Sequence, residues 1–195
     1  MKGTGVKKLA RVLRVLVIIV FACNLIALFL VPTVVILSPE DIVASIALDW
    51  RIWTSGEDPG DLYFPLPFFF LLSWFGVWFD AYTGVLTAFL LVCGVCTAII
   101  LWQAKRVLDT IIKENPFTLN NAGNLKRAAV CCFVISGAAL VRLVWSLCYY
   151  HSPAPLATYN ALFVPIFLMG GLLFMVMSAL FRQAAELKEE NDLTI

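Results

Sequence analysis

The chain has 195 residues, of which 62% are hydrophobic and 14% are charged, whereas soluble proteins average roughly 45–50% and about 25%. A single soluble core of this size cannot hide so much apolar surface from water, so the composition excludes an ordinary soluble domain and requires contact with a lipid bilayer. The formal net charge is only +1, which excludes direct nucleic-acid binding through bulk positive charge.

Four apolar segments are each long enough to cross a bilayer, which takes about 20 helical residues. They predict an all-α, polytopic integral membrane protein with one membrane domain over residues 1–195. The predicted transmembrane helices lie at about residues 15–37, 81–102, 128–150 and 159–181. The main polar segments between and after them are an outer loop at 38–80, a cytoplasmic link at 103–127 and a cytoplasmic tail at 182–195.

The first predicted helix follows a basic segment, as the core of a secretory signal peptide also does. Its apolar stretch exceeds the roughly 7–15 residues of such a core, which favours an uncleaved anchor. Cleavage near the small residues at 44–47 is the alternative. Pro32 predicts that this helix is kinked or ends early.

The placement of Lys and Arg predicts the orientation, because cytoplasmic segments of membrane proteins are enriched in these residues. With four spans, the N-terminus, the link and the tail all fall on one side. These three segments contain Lys2, Lys7, Lys8, Arg11, Arg14, Lys105, Arg106, Lys113, Lys126, Arg127, Arg182 and Lys188. We therefore predict a multi-pass protein with both termini in the cytoplasm.

Residues 62–79 are apolar but contain Pro65 and Pro67. A fifth span here would place the basic link outside, against the charge rule. Because prolines interrupt helical hydrogen bonds, we predict an interfacial or re-entrant segment before the second transmembrane helix, with a fifth span as the alternative.

Trp and Tyr residues cluster in the outer half of this topology. Such rings favour the boundary between lipid and water. They predict an outer aromatic layer made of Trp50, Trp53, Tyr63, Trp74, Trp78, Tyr82, Trp145, Tyr149, Tyr150 and Tyr159.

All six cysteines lie within apolar segments, unlike the loop cysteines of a disulfide scaffold. Cys93 and Cys96 have CxxC spacing, and Cys131 is followed by Cys132. We interpret them as small apolar side chains in membrane helices, with a zinc or redox site as the alternative.

No Walker loop or nucleophile–base pair is found, so no metal, cofactor or catalytic site is predicted, and we expect the protein not to be an enzyme.

Polar residues in the predicted spans form a candidate intramembrane site. Arg142 lies about two turns from the outer end of the third helix, where it can snorkel or pair with Asp80. A ligand- or ion-binding role is the alternative, since charges within a bilayer are costly. Asn24 is expected to hydrogen-bond a neighbouring helix rather than a substrate.

The cytoplasmic link carries helix-boundary signals. Pro116 should stop the second helix at about Glu114. Thr118 is the predicted N-cap of the third helix, and Asn120 is a rival for that role.

The same link carries the motif Asn115-Pro116-Phe117-Thr118, then Asn121-Ala122 and Leu125-Lys126-Arg127. This pattern, together with the ending at residues 190–195, resembles the bacterial domain of unknown function 2975 family, which includes YoaS-like four-helix membrane proteins. That family often has acidic residues where this chain has Leu119 and Asn120. The resemblance implies four helices in a bacterial cytoplasmic membrane and no established activity. Since such genes often neighbour a small helix-turn-helix regulator, it also implies a transcriptional regulator as partner.

The leading hypothesis is a non-enzymatic membrane protein that binds or sequesters a cytoplasmic regulator through the link and the tail. The candidate docking turn consists of Asn115, Pro116, Phe117, Thr118, Asn121, Ala122, Leu125 and Lys126. The rival hypothesis is small-molecule transport or immunity that uses the aromatic layer and Arg142. Its conventional form lacks an inverted repeat, although a homo-oligomer could still form a pathway.

Overall fold

The computed structural model describes residues 3–37, 66–113, 117–151 and 153–193. Within these ranges the chain is almost entirely helical and contains no strand. The helices are α1 (Gly3–Ile36), α2 (Leu66–Gly76), α3 (Ala81–Ile112), α4 (Leu119–Tyr150) and α5 (Tyr159–Leu193). Short 3-10 turns follow α2 at Val77–Phe79 and precede α5 at Ala154–Ala157.

Four of these helices are long and apolar enough to cross a membrane, which confirms the predicted number of such helices. The qualifying stretches are Lys7–Ile36, Ala81–Ile112, Leu119–Tyr150 and Ala161–Asn191. Their outward surfaces are apolar; the side chain of Leu173, for example, is 64% exposed. Lipid contact would remove this surface from water.

Helix α2 has 11 residues and is therefore about 16 Å long, much less than the roughly 30 Å of a hydrocarbon core. Within the described ranges, a fifth helix of spanning length is thus not formed. The interfacial or re-entrant position of α2 stays a prediction.

Two helix ends lie close to the sequence-based expectation. Helix α1 ends at Ile36, next to the predicted end at residue 37. Of the two effects predicted for Pro32, an early end does not occur, because α1 passes through it, and the kink stays a prediction. A proline removes only its own N–H donor and disturbs the preceding turn. Helix α3 ends at Ile112, and Lys113 forms a turn. This is close to the predicted end at Glu114, which lies outside the described residues.

The chain divides into two compact units, residues 1–25 with 92–195 and residues 26–91. The prediction of one membrane domain is not tested by this division. In the first unit, α4 and α5 pack against each other along their length. Ser136 Oγ donates to the Val164 carbonyl at 2.9 Å, so a buried hydroxyl of α4 is bonded to α5.

Close approach of α4 and α5 depends on small residues, as in many membrane helix pairs. A Cβ built on Gly171 of α5 would lie 2.8 Å from Cε1 of Phe133. The buried face of α4 includes small side chains at Ala128, Ala129, Cys131, Cys132, Ser136 and Ala139.

In the second unit, α2 and the ends of α1 and α3 pack together. The rings of Phe29 and Trp74 have centroids 6.4 Å apart, and Val77 is fully buried. Thr83 Oγ1 donates to the Val77 carbonyl at 2.9 Å. Asp80 accepts from the backbone N–H of Thr83 at 3.1 Å, which makes it the side-chain cap of α3.

Candidate functional site at the α3–α4 junction

Thr118 caps α4, as the sequence predicted. Its Oγ1 accepts a hydrogen bond from the backbone N–H of Asn121 at 3.3 Å, which satisfies one of the N–H groups that the first turn of a helix leaves open. Asn120, the rival, lies inside the helix and is exposed.

Asn121 joins α4 to the end of α3. Its Nδ2 donates to Oγ1 of Thr110 at 2.6 Å, and that hydroxyl donates in turn to the Val107 carbonyl at 2.7 Å. The Asn121 side chain is fully buried. This residue of the candidate docking turn therefore fixes the junction from inside and offers no surface to a partner.

Two contacts join the start of α4 to the end of α5. The hydroxyl of Ser178 donates to the Ala122 carbonyl at 2.7 Å. The rings of Phe117 and Phe181 have centroids 5.4 Å apart. These contacts bring part of the predicted link against the helix that leads into the predicted tail.

A groove of about 500 Å³ lies between these two helix ends. Its walls are apolar with three charged side chains, and they consist of Leu119, Ala122, Gly123, Lys126, Met175, Ser178, Ala179, Arg182 and Glu186. We call this the α4–α5 groove. Of the candidate docking residues, Ala122 and Lys126 line it, whereas Leu125 lines a separate cavity.

Charge in the α4–α5 groove is partly neutralised. Arg182 Nε donates to Glu186 Oε1 at 2.8 Å, in an exposed pair one helical turn apart. Such exposed pairs contribute about 0–1 kcal/mol. The groove also contains the ammonium group of Lys126, so its formal charge is positive, and it suits a partner with an acidic group.

The sequence profile of the protein of unknown function (DUF2975) family matches residues 52–195, which is more than half of the chain. The chain belongs to this family. The matched range contains α2 to α5 and the whole α4–α5 groove. Comparison with curated proteins and with solved structures gives no match.

In this DUF2975 protein, contacts also connect the basic start of α1 to the end of α3. Nε of Arg14 lies 2.8 Å from Oδ1 of Asp109. With the Thr110–Asn121 and Ser178–Ala122 contacts, this ion pair places the start of α1, the end of α3, the start of α4 and the end of α5 at one end of the first unit. The topology predicted from charge also puts these four helix ends on one side of the membrane. Which side that is stays a prediction.

The predicted intramembrane polar residues are divided between the two units. Arg142 is half-buried within α4. Asn24 is half-buried in α1, and its expected hydrogen bond to a neighbouring helix stays a prediction. Asp80 belongs to the other unit and caps α3.

The DUF2975 chain forms no metal cluster within the ranges that the structure describes: no three His, Cys, Asp or Glu side chains are placed to hold an ion. Cys96, Cys131 and Cys132 are buried in α3 and α4 as free thiols. His151 ends α4 with a positive φ of 47°. Asn115 and Pro116 of the candidate docking turn lie outside the described residues.

Sequence reasoning missed several residues of this region, namely Thr110, Ser178 and Glu186. Each forms a specific hydrogen bond or ion pair with a residue of the junction or of α5. The Glu186 pair had a local signal, since Arg182 precedes it by four residues on a helix. For Thr110 and Ser178 no local signal existed, because their partners are set by helix packing.

Proposed function

We propose that this protein is a multi-pass protein of the bacterial cytoplasmic membrane that binds a cytoplasmic regulator of the helix-turn-helix type without catalysing a reaction. The observation that carries the proposal is the α4–α5 groove. It combines the predicted cytoplasmic link with the start of the predicted tail, the two largest inner polar segments of the sequence.

The proposed occupant is an amphipathic helix of the regulator. Leu119 and Met175 provide apolar wall, while Lys126 provides a cation. A helix docks in such a groove through apolar residues spaced three and four apart. An acidic residue at the edge of its apolar face would pair with Lys126 and set its direction along the groove.

The proposed orientation has both termini in the cytoplasm. It is supported by the basic residues at the start of α1, the end of α3 and the start of α4, since positively charged segments stay inside. A phosphatase that is active only outside the cytoplasm, fused after residue 195, should be inactive. The same reporter inserted after His151, in the connection between α4 and α5, should be active; the reverse pattern would overturn the topology.

Gly123 allows a specific test of the groove. It lines the groove, and a Cβ there meets no atom within 4 Å, so Gly123→Leu should fill the groove without disturbing packing. Gly137 is a matched control: it lies on the same helix, about 21 Å away, and a Cβ there also meets nothing within 4 Å. Both substitutions raise helix propensity equally.

The experiment is co-purification of the tagged full-length protein from its own host after gentle solubilisation, followed by binding of the purified regulator. We expect a helix-turn-helix protein to be recovered with wild type and with Gly137→Leu. Gly123→Leu should weaken its binding at least tenfold. Recovery of no regulator, or equal binding by both variants, would overturn the proposal.

Arg142 supports a second candidate function, transport of or immunity to a small membrane-active molecule. The supporting observation is that this guanidinium is half-buried within a helix of spanning length, where a charge is costly. Arg142→Leu should then abolish resistance of the host to membrane-active compounds, while Arg142→Lys retains part of it. An unchanged resistance profile for a well-folded Arg142→Leu protein would contradict this candidate.

A further inference from the structure

A pocket of about 220 Å³ lies between α1 and α3 in the first unit. Its walls are apolar apart from one lysine, and they consist of Val17, Ile18, Phe21, Leu101, Trp102 and Lys105. The rings of Phe21 and Trp102 have centroids 5.9 Å apart, so aromatic packing joins the two helices at this level. We call this the α1–α3 pocket. It shares no lining residue with the α4–α5 groove.

Two positive charges stand over one wall of the α1–α3 pocket. Nζ of Lys105 lies 4.8 Å from the centroid of the Trp102 ring, and Cζ of Arg106 lies 5.9 Å from it. These residues follow Trp102 by three and four positions, which places all three on one face of α3. Lys105 is half-buried and Arg106 is exposed, so their N–H groups can be reached from the surface.

No carboxylate among the described residues neutralises either cation. Asp109 is the obvious partner on the same helix, since it follows Lys105 by four residues and Arg106 by three. Its Oδ1 instead lies 2.8 Å from Nε of Arg14 in α1. The face of the Trp102 ring attracts the two cations without cancelling their charge. The pocket therefore combines apolar walls with two uncompensated positive charges.

The α1–α3 pocket lies at the predicted inner edge of the bilayer. Trp102 is the last residue of the second predicted transmembrane helix, and Trp rings favour this boundary. Lys105 and Arg106 follow it, at the depth where basic side chains reach lipid phosphates. Ile18 and Phe21 belong to the first predicted transmembrane helix, on the hydrocarbon side. Ile18 and Trp102 are each 42% exposed, so the pocket opens onto the surface that lipid covers.

We propose that the α1–α3 pocket binds one anionic phospholipid, with its phosphate at Lys105 and Arg106 and one acyl chain against Ile18 and Phe21. A guanidinium offers a phosphate two parallel N–H groups, and an ammonium adds a compact charge. A zwitterionic phospholipid carries a cation of its own, which these two cations disfavour. A soluble phosphate would leave the apolar walls uncovered, so the order of apolar and charged groups favours a lipid.

The volume limits how much of the lipid enters. Pockets that enclose a whole small molecule measure roughly 300–1,000 Å³, and this pocket measures about 220 Å³. It therefore holds the part of one acyl chain that lies nearest the headgroup, and the rest of the lipid stays in the bilayer.

The test measures binding of radiolabelled phosphatidylglycerol to the full-length protein in mild detergent micelles. Phosphatidylcholine with the same acyl chains is the zwitterionic reference. We expect saturable binding of one phosphatidylglycerol per chain, with a preference over phosphatidylcholine of roughly tenfold or more, since each cation near a lipid surface contributes about fivefold. An excess of inorganic phosphate should not displace the lipid.

Paired variants locate the site. Lys105→Gln combined with Arg106→Gln should lower the affinity for phosphatidylglycerol roughly tenfold and leave that for phosphatidylcholine unchanged. Lys8→Gln combined with Arg11→Gln is the matched control, because it removes the same charge from exposed positions of α1, with Arg11 about 10 Å along the helix from Ile18. It should bind phosphatidylglycerol as wild type does. Arg106→Gln alone changes an exposed side chain and should cost about fivefold even if the double variant does not fold.

Three results would overturn the proposal. Equal binding of the two lipids by wild type would show that the cations select no anionic lipid. Equal loss in both double variants, or no loss in Arg106→Gln, would show that diffuse positive charge attracts the lipid. Displacement by inorganic phosphate would make the ligand a soluble anion. Since Gly123→Leu changes the α4–α5 groove and no residue of the α1–α3 pocket, it should bind phosphatidylglycerol normally, so loss of regulator docking and loss of lipid binding are separable.

Discussion

On the side of α4 that faces α5, serine hydroxyl groups donate to carbonyls of the other helix. Ser136 donates to Val164, and Ser178 of α5 donates to Ala122. On the opposite side, next to the cavity that Leu125 lines, the amides of Asn124 and of Gln103 from α3 are buried, and the structure gives no partner to three of their polar atoms. The first side satisfies its polar groups, whereas the second leaves buried polar atoms without partners, which lowers stability.

The difference follows from side-chain length and helix separation. A serine hydroxyl reaches a carbonyl only when two helices approach closely, which glycine and alanine permit. An amide carries two donors and an acceptor, so it needs several partners to be satisfied, and the side chains around Asn124 and Gln103 do not provide them. Four substitutions test this contrast.

Gly171→Ala should have the largest effect, since it disturbs the close packing between α4 and α5. The new Cβ would lie 2.8 Å from Cε1 of Phe133, and overpacking costs about 1–3 kcal/mol. We expect the free energy of unfolding, measured in mixed detergent micelles, to fall by about 2 kcal/mol. Gly170→Ala is the control, because a Cβ there meets nothing within 4 Å; equal effects would show that the close approach at Gly171 is absent.

Thr110→Val tests the polar contact between α3 and α4. It removes the acceptor 2.6 Å from Nδ2 of Asn121 inside a buried site. We expect the free energy of unfolding to fall by about 1.5 kcal/mol. Thr97→Val is the control, because the hydroxyl of Thr97 donates only within its own helix, to the Cys93 carbonyl at 2.8 Å. If both variants lose the same stability, the Thr110–Asn121 bond contributes nothing specific.

Asn124→Leu should have the opposite sign. Replacing an amide whose buried atoms have no partner by an apolar group of similar size should raise the free energy of unfolding by about 1 kcal/mol. Asn121→Leu, three residues earlier on α4, should lower it, because that amide is hydrogen-bonded. A loss of stability in Asn124→Leu would mean that its amide is satisfied, and the two sides of α4 would then differ less than the structure indicates.

Thr118→Ala should have the smallest effect, because the cap lies at the end of the helix and serves both sides alike. Loss of a cap of this kind should lower the free energy of unfolding by about 0.5–1 kcal/mol. Asn120→Ala, which changes the rival residue, should leave it unchanged. A larger loss of stability for Asn120→Ala than for Thr118→Ala would indicate that Asn120, and not Thr118, is the N-cap of α4.

Much of the fold followed from local patterns. Apolar segments of sufficient length predicted the four helices of spanning length. Thr118 was predicted as the N-cap because a Thr hydroxyl at that position accepts a hydrogen bond from the backbone N–H three residues later. Pro32 does not end α1, because the turn that follows it is held by its own hydrogen bonds, such as Leu37 N–H to the Thr33 carbonyl at 2.9 Å.

The candidate site was predicted only in part. Residues 117–126 were correctly singled out as a junction between two helices, yet the sequence could not separate them into different roles. Asn121 and Asn124 stand three residues apart on one helix. One bonds Thr110 and the other lines a cavity, and the local sequence around them contains no sign of that difference.

The sequence by itself determined that four long apolar helices form, and the motif between α3 and α4 pointed to the family whose profile matches residues 52–195. Length, hydropathy and charge are properties of single segments, so they need no knowledge of neighbours. Only the tertiary structure decided that Ala122 and Lys126 line the α4–α5 groove while Leu125 and Asn124 line a cavity. Those roles depend on how each helix is rotated about its axis and which residues, often more than fifty positions away, it meets.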